Sequence, residues 1–258
     1  MSGPAMGVAA GTRVWITGAG SGIGRALALR LARDGAAVAV SARSADALDA
    51  LAAEAPGRVH PFPLDVTDAD AVGRCVAAVE ERLGPLDQVV LNAGTHIPMG
   101  LEDFSTATAR ALMEVNYMGV VHGLDAVLPR LRARGGGGVA VVASVAGYGG
   151  LPTAAAYGPT KAALINLCES LKLDCDRAGI RLRLICPGFV ATPLTARNPF
   201  PMPDLIGAEE AADRIAAGLA GGGFEIAFPP RFARIMKTLR LLPYGVYFPL
   251  IRRITGAG

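Results

Sequence analysis

The stretch Val14-Trp15-Ile16-Thr17-Gly18-Ala19-Gly20-Ser21-Gly22-Ile23-Gly24 joins a short apolar run to a glycine-rich turn. The apolar run predicts a buried strand, and residues 25–33 predict a helix directly after the turn. Glycines let the backbone approach a pyrophosphate, while a helix N-terminus offers free N–H groups and the positive end of the helix dipole. Strand, glycine turn and helix in this order predict a phosphate-binding unit for a dinucleotide, although a glycine turn by itself is also typical of a flexible loop.

The alternation of apolar runs and helical patterns continues along the 258 residues. Further strands are predicted at 37–41, 59–64, 88–91, 139–143, 181–185 and 224–227, and further helices at 44–54, 68–83, 106–134 and 155–178. Strands that alternate with helices predict a parallel, doubly wound α/β sheet in a single domain. Because 52% of the residues are hydrophobic, the chain can bury the large core that this fold requires.

Five residues of interest lie at or just after the ends of predicted strands, namely Gly18, Arg43, Asp65, Asn92 and Ser144. The carboxyl ends of parallel strands meet at one edge of a sheet, and ligands of such sheets bind in the crevice outside that edge. We therefore expect these five residues to line one crevice.

Arg43 bears on the choice of nucleotide. A site selective for NAD places a carboxylate about 20 residues beyond the glycines, where it binds the ribose hydroxyls. This sequence has Ala42 and Arg43 there. A guanidinium group suits a 2′-phosphate, so Arg43 favours NADP over NAD. The alternative is that Arg43 is an ordinary surface residue after a strand.

Tyr157 and Lys161 are four residues apart at the start of a predicted helix, so their side chains share one face. A free phenol has a pKa of about 10, and a nearby cation lowers that pKa. Such a pair is suited to proton transfer in alcohol–ketone chemistry, but it also occurs as ordinary helix surface. Asn116 lies in the middle of another predicted helix, and taken alone it is expected to be exposed or bonded locally.

Composition excludes several classes of function. The net charge is +3, with no long basic run in the first two hundred residues, so nucleic-acid binding is not expected. The four cysteines form no C-x-x-C pair and the three histidines no ligand spacing, which indicates reduced thiols in a cytoplasmic protein and no metal site. Neither a signal peptide nor a membrane-spanning run of about 18 apolar residues is evident.

The combined pattern resembles the short-chain dehydrogenase/reductase family over residues 12–228. The matching pieces are Thr17-Gly18-x-x-x-Gly22-x-Gly24, Asp65, Asn92-Ala93-Gly94, Asn116, Ser144, Tyr157-x-x-x-Lys161, and Pro187-Gly188 with Thr192. Leu91 departs from the family, which often has a second asparagine there. The resemblance implies a seven-stranded Rossmann sheet that binds NAD(P)H, in a homodimer or homotetramer built on the two long helices.

The resemblance also implies roles for individual residues. Tyr157 would act as general acid and base, Lys161 would lower its pKa and bind the nicotinamide ribose, and Ser144 would bind the substrate oxygen. Asn116 would hold a water that links Lys161 to solvent, Asp65 would contact the adenine, and Thr192 the carboxamide. Further cofactor contacts are implied for Gly18, Ser21, Gly22, Ile23, Gly24, Arg43, Val66, Asn92, Ala93, Gly94, Tyr157, Lys161, Pro187, Gly188 and Val190.

The remaining segments flank this unit. Residues 1–11 are expected to form a flexible arm, and residues 189–206 a lid that carries substrate contacts. The expected substrate wall is apolar (Tyr148, Leu151, Phe189, Leu194, Phe200 and Met202), which favours a hydrophobic substrate unless these side chains only pack the lid shut. His96 lies near the same mouth. The alternatives are that it contacts the substrate and that it faces solvent, and the second is expected.

Residues 229–258 are predicted to form a basic amphipathic extension, since they hold six Arg or Lys and no acid. One alternative is that this tail lies on an anionic membrane surface. The other is that it docks over the protein's own pocket or on a neighbouring subunit.

Together these patterns predict an NAD(P)(H)-dependent oxidoreductase, with NADPH-dependent reduction of a hydrophobic ketone as the expected reaction. The alternatives are a non-catalytic NADP-binding sensor on the same scaffold, and a membrane-surface interaction protein acting through the tail. The sensor would need only the cofactor half of the site, so the presence of Ser144, Tyr157, Lys161 and Asn116 favours the enzyme.

Overall fold

The computed structural model describes residues 10–197 and 202–255. The strands are β1 (Arg13–Thr17), β2 (Ala37–Ser41), β3 (Val59–Pro61), β4 (Gln88–Leu91), β5 (Gly137–Val142), β6 (Ile180–Pro187) and β7 (Glu225–Phe228). The helices are α1 (Gly22–Arg33), α2 (Ala45–Glu54), α3 (Ala69–Leu83), α4 (Thr106–Met113), α5 (Gly119–Ala133), α6 (Tyr157–Arg177), α7 (Ala208–Ala220), α8 (Pro230–Arg240) and α9 (Tyr244–Thr255). Short 3-10 turns lie at Val145–Gly147 and Thr195–Arg197.

The seven strands form one parallel sheet in the order β3-β2-β1-β4-β5-β6-β7. The predicted doubly wound sheet is therefore confirmed. The direction of strand order reverses between β1 and β4, and ligands of such sheets bind at this switch point. All four residues of β4 are buried, which is typical of a strand covered by helices on both faces.

The core has two layers, one on each face of the sheet. One layer includes buried residues of α1, α2 and α7, such as Leu27, Leu48 and Ile215. The other includes residues of α3, α5 and α6, and it also contains Met236 of α8 and Tyr247 of α9. One side of the C-terminal extension is thus packed against the protein's own body.

Helix starts follow their capping residues. The Ser44 side chain accepts a hydrogen bond from Ala47 N at 3.2 Å, and that of Asp68 from Ala71 N at 2.8 Å. These bonds satisfy N–H groups in the first turns of α2 and α3, as predicted.

Strand β3 ends at Pro61, three residues before its predicted end. Pro61 and Pro63 have no N–H to donate. The intervening residues still run along β2, because Phe62 N donates to Val40 O at 2.9 Å and Leu64 N to Ala42 O at 2.9 Å.

The predicted helix 106–134 is interrupted by a π-helical turn, Glu114–Met118, between α4 and α5. Asn116 lies at the centre of this turn. π-Turns inside α-helices occur frequently at functional sites.

Candidate active site

The glycine turn after β1 is shaped by close backbone contacts. Gly18 and Gly22 have φ of +68° and +55°, which favours glycine. A Cβ on Gly18 would lie 2.6 Å from Ala93 Cα, and one on Gly24 would lie 2.5 Å from Asn92 Nδ2. The turn therefore leaves no room for larger side chains and exposes its backbone at the start of α1.

Asn92 supports this turn from behind. Its Nδ2 donates to Thr17 O at 3.0 Å and to Gly18 O at 3.1 Å. Thr17 Oγ1 in turn accepts from Asn92 N at 3.0 Å and Ala93 N at 3.1 Å. Thr17 was part of the motif that carries the family resemblance, but no separate role was predicted for its hydroxyl.

A cavity of about 100 Å³ lies beside the glycine turn, at the carboxyl ends of β4, β5 and β6. It is lined by Ile23, Asn92, Gly94, Thr95, Val142, Ala143, Ser144, Tyr157, Lys161, Pro187, Gly188, Val190, Thr192, Leu194 and Thr195. Candidate catalytic residues and candidate cofactor residues from five segments of the chain thus converge on one small space. Leu194 comes from the expected substrate wall, whereas Thr95, Val142, Ala143 and Thr195 join the lining without having been predicted as site residues.

Tyr157 is the first residue of α6 and points into this cavity beside Ser144. Burial raises the pKa of Tyr157 to about 12, against a smaller lowering by a hydrogen bond from Ser144. The Ser144 hydroxyl also accepts from Ala146 N at 3.1 Å, which fixes the serine at the start of the turn after β5. The phenol of Tyr157 is therefore protonated at neutral pH.

Lys161 is buried one turn further along α6. Its Nζ donates to Val142 O at 3.0 Å and lies 5.6 Å from the centroid of the Tyr157 ring. Burial lowers the pKa of Lys161 to about 8. The expected lowering of the tyrosine pKa by Lys161 does not appear here, because burial disfavours the charged form of both groups.

Asn116 is fully buried, so the expectation from its position alone was wrong. Its Oδ1 accepts from Thr95 N at 2.7 Å, and its Nδ2 donates to Thr95 O at 2.9 Å and Thr160 Oγ1 at 3.1 Å. A Cβ on Gly94 would lie 3.3 Å from Asn116 Oδ1 and 3.5 Å from Lys161 Nζ. Asn116 thus ties the loop after β4 to the start of α6, next to Lys161.

His96 lies against Tyr157 rather than facing solvent as expected. The two ring centroids are 4.7 Å apart in an edge-on arrangement, and His96 is half-buried. Its position after Asn92-Ala93-Gly94 predicted that His96 lies near the site, but the contact with the Tyr157 ring depends on how the loop after β4 packs on α6.

A second, larger cleft of about 720 Å³ lies beyond β2 and β3. Its lining includes Arg43, Asp65 and Arg74. Asp65 Oδ1 accepts from Thr67 N at 3.0 Å and Thr67 Oγ1 at 2.8 Å, and these bonds lower the pKa of the Asp65 carboxyl, with a smaller effect of the Arg43 charge. Arg74, from α3, was not predicted as a site residue.

Val66 and Thr192 complete the placement of the predicted residues. Val66 is buried against α5, where a Cβ on Gly119 would lie 2.7 Å from Val66 Cγ2. Thr192 packs on the start of α1, since a Cβ on Gly22 would lie 3.0 Å from Thr192 Cγ2.

The predicted lid leaves and rejoins the body at one point. Ala191 N donates to Ile206 O at 2.8 Å, and Ile206 N to Phe189 O at 3.2 Å. Phe200, part of the expected apolar wall, lies outside the described residues.

Comparison with known proteins decides the family. The family model for short chain dehydrogenases matches residues 12–200. The chain belongs to the short-chain dehydrogenase/reductase family. It is thus an oxidoreductase of a family that uses NAD(P). The glycine turn at the start of α1, where no Cβ would fit on Gly18 or Gly24, suits the close approach of a pyrophosphate.

Individual relatives agree with this assignment. An uncharacterized oxidoreductase of Myxococcus xanthus is 38% identical over 242 residues, covering 93% of this chain and 96% of the relative. The gluconate 5-dehydrogenase of Gluconobacter oxydans is 38% identical over 200 residues, covering 76% and 78%. A Burkholderia cenocepacia short chain dehydrogenase, solved in complex with NADP, superimposes with a TM-score of 0.81 at 26% identity, covering 96% and 98%.

Within residues 10–197 and 202–255, no helix is long and apolar enough to cross a membrane. The same residues contain no cluster of three or more His, Cys, Asp or Glu side chains that could hold a metal ion.

Proposed function

We propose that this short-chain dehydrogenase catalyses NADPH-dependent reduction of a hydrophobic ketone to a secondary alcohol, and the reverse oxidation. The observation that carries the proposal is the convergence of Ser144, Tyr157 and Lys161 on one small cavity beside the glycine turn. When bound, the nicotinamide supplies or accepts the hydride. The side chains of this chain hold the substrate and move the proton.

Tyr157 is the proton donor in reduction. Its buried phenol is protonated at neutral pH, with a pKa of about 12, and can pass its proton to the oxygen of the substrate as negative charge develops there. Ser144 donates a hydrogen bond to the same oxygen, which is oxyanion-type stabilisation. In oxidation, Tyr157 takes the proton back.

Lys161 and Asn116 support this step. In its charged form, the buried ammonium of Lys161 binds the ribose hydroxyls and favours the phenolate that remains after proton transfer. Asn116, beside Lys161 in the π-turn, holds a water that connects Lys161 to solvent, in addition to fixing the loop after β4.

Arg43 and Arg74 favour NADP over NAD. Both line the cleft beyond β2, where the 2′-phosphate of the adenosine ribose would lie, and no carboxylate stands at position 42 or 43. Two guanidinium groups can neutralise the two charges of a phosphate group. In the proposed complex Asp65 and Val66 would contact the adenine, and Gly18, Ser21, Gly22, Ile23 and Gly24 would contact the pyrophosphate.

Gly94, Pro187, Gly188, Val190 and Thr192 complete the proposed nicotinamide side. Asn92 and Ala93 act mainly by shaping the glycine turn, through their bonds to Thr17.

The substrate class is supported by one residue of the expected apolar wall. Leu194 lines the cavity together with Tyr157, which favours an apolar substituent on the ketone. The gluconate 5-dehydrogenase relative is named for a polar acid, so the test must include both chemistries.

The test is oxidation of NADPH and NADH by the purified protein against medium- and long-chain ketones, 3-oxoacyl thioesters, steroid ketones and a keto-acid sugar. The proposal predicts turnover with NADPH, faster than with NADH, on at least one apolar class. Tight NADPH binding with no turnover on any class would favour the non-catalytic sensor.

The assembly and the tail are further parts of the proposal. A homodimer or homotetramer built on the 106–133 helix and α6 is supported by Leu173, which is 69% exposed on α6 in the single chain. A peripheral contact with an anionic membrane is supported by the exposed apolar residues and arginines of the tail. The four buried cysteines fit a reducing, cytoplasmic setting.

A further inference from the structure

The loop that follows Ser144 is tied to the C-terminal helices by polar contacts. The Tyr148 hydroxyl donates to Glu225 Oε1 at 2.6 Å, and Lys237 of α8 donates to Glu225 Oε2. The Lys237 ammonium also lies 5.5 Å from the centroid of the Tyr148 ring. Glu225 at the start of β7 thus joins the loop to α8.

A second tie comes from α9. The Tyr247 hydroxyl donates to Gly150 O at 2.6 Å. Tyr247 is only 6% exposed, and a Cβ on Gly149 would lie 2.9 Å from its hydroxyl oxygen. The aromatic ring of Tyr247 therefore presses on the loop while its hydroxyl holds the loop's backbone.

The chemistry of these contacts is that of a fixed support rather than a reactive site. Burial raises the pKa of the Tyr148 phenol, so it remains a neutral hydrogen-bond donor to the Glu225 carboxylate. Within the described part of the chain, Lys237 is the tail cation that forms an ion pair with an acid.

The loop is continuous with the candidate catalytic residues. It begins at Ser144, and its Gly147 packs against the backbone of Lys161, where a Cβ on Gly147 would lie 2.7 Å from the carbonyl carbon. A shift of residues 145–150 would therefore displace Ser144, or the start of α6, or both.

We propose that Lys237 and Tyr247 are positioning residues, which hold the loop 145–150 and through it Ser144 in the arrangement that accepts substrate. The kinetic consequence of this inference rests on the proposed reductase function. The ordering of the loop does not, so it can be measured separately.

The first test is hydrogen–deuterium exchange of the full-length protein, followed in peptides that cover residues 144–152. Loss of one such hydrogen bond or ion pair is expected to speed exchange there about threefold to tenfold in Lys237→Met and in Tyr247→Phe. Lys237→Arg should restore slow exchange. Arg240→Met, an exposed residue at the end of the same helix, is the matched control and should leave exchange unchanged.

The second test is kinetic, with the ketone that gives the highest turnover. The KM for the ketone should rise about threefold to tenfold in both variants, while the affinity for NADPH stays within about twofold. Tyr247→Phe removes the hydroxyl but keeps the buried ring, so this variant is expected to fold. Both tests can therefore be made with it if Lys237→Met fails to fold.

Unchanged exchange in a folded Tyr247→Phe variant would overturn the inference. So would faster exchange with unaltered KM and kcat. If no ketone is turned over by the wild type, the proposed function fails, and the exchange experiment alone then decides whether the tail orders the loop.

Discussion

Selection of the 2′-phosphate is decided at the scale of single side chains. Removing the guanidinium in Arg43→Ala should raise the KM for NADPH about tenfold to hundredfold, because hydrogen bonds to charged groups contribute about 1.5–3 kcal/mol. The KM for NADH should change less than about twofold. Steady-state kinetics with both nucleotides measures this, with the exposed Arg132→Ala on α5 as control. An equal rise in the KM for NADPH and for NADH would show that Arg43 does not bind the 2′-phosphate.

The charge of Lys161 should make the affinity for NADPH depend on pH. Its charged form is the one that binds ribose hydroxyls, and burial lowers its pKa from 10.5 to about 8. The favourable contribution is therefore present below pH 8 and is lost as the pH rises above it. The 2′-phosphate, with a pKa of about 6, adds no titration in that range.

Fluorescence titration of NADPH from pH 6.5 to 9.5 should thus show weakening affinity above about pH 8. Lys161→Met should bind more weakly at pH 7 and lose this component of the pH dependence. A wild-type affinity that is flat through pH 9.5 would contradict the assigned pKa or the assigned contact.

Some residues of the site could be predicted because their chemistry is visible in one short motif. Tyr157 and Lys161 share a helix face at fixed spacing, and Ser144 ends a strand beside them. Arg74 could not be predicted, since it reaches the cleft only through the packing of α3. The position of His96 near the site was predicted, but its contact with the Tyr157 ring was not, because it depends on the packing of the loop after β4. The sequence likewise could not predict that the pKa of Tyr157 is raised and not lowered, because this shift depends on burial.

At the scale of elements, the hydrogen bonds that Asn116 makes from the π-turn should contribute to the stability of the protein. Asn116→Ala leaves the buried backbone groups of Thr95 without their partners, at a cost of about 1–3 kcal/mol for each unsatisfied group. For a chain of this size we expect Tm to fall by about 5–10 °C. Thermal unfolding measures the change, with the exposed Thr106→Ala at the start of α4 as control. A Tm within about 1 °C of the wild type would mean that water replaces these bonds.

Element boundaries were predictable where a local signal sets them. Ser44 and Asp68 cap α2 and α3 through their own side chains, so the sequence places both helix starts correctly. The π-turn was not predictable, because the apolar pattern of residues 106–134 continues through it. In the structure, Asn116 in this turn is bonded to Thr95, in the loop after β4, and to Thr160 of α6, and the local sequence shows neither contact.

At the scale of the whole molecule, the tail presents a stripe of exposed apolar side chains. Leu241, Tyr244 and Phe248 are 82%, 76% and 59% exposed, and the last two rings stack 5.5 Å apart. Arginines flank them at 240 and 252. Apolar side chains beside cations are suited to the interface of an anionic bilayer.

Flotation should show binding to vesicles that contain phosphatidylglycerol and little binding to pure phosphatidylcholine. Substituting serine at Leu241, Tyr244 and Phe248 should reduce the bound fraction several-fold, whereas serine at the exposed Leu101 and Phe104 should not. Point substitutions are needed because truncation at residue 229 would remove Met236 and Tyr247 from the core. Equal flotation of the wild type and the triple variant would contradict membrane binding through this stripe. If light scattering shows that the triple variant no longer forms a dimer, the stripe would instead be assigned to a contact between subunits.

The global architecture was predictable because a two-sided parallel sheet imposes repeating apolar strands and helices on the sequence. The docking of α8 and α9 was not, since an amphipathic helix shows that it buries one face but not against which surface. Here the covering surface is the protein's own β7 and the loop after Ser144, which only the assembled fold reveals.

The central claim is that Tyr157 transfers the proton in a nucleotide-dependent reduction. The most direct measurement is the single-turnover rate of Tyr157→Phe against the wild type, at saturating NADPH, with the best ketone substrate. We expect a loss of about 10²–10⁴-fold in this rate, with NADPH affinity within about twofold and Tm preserved. A phenylalanine variant that turns over at close to the wild-type rate would contradict it.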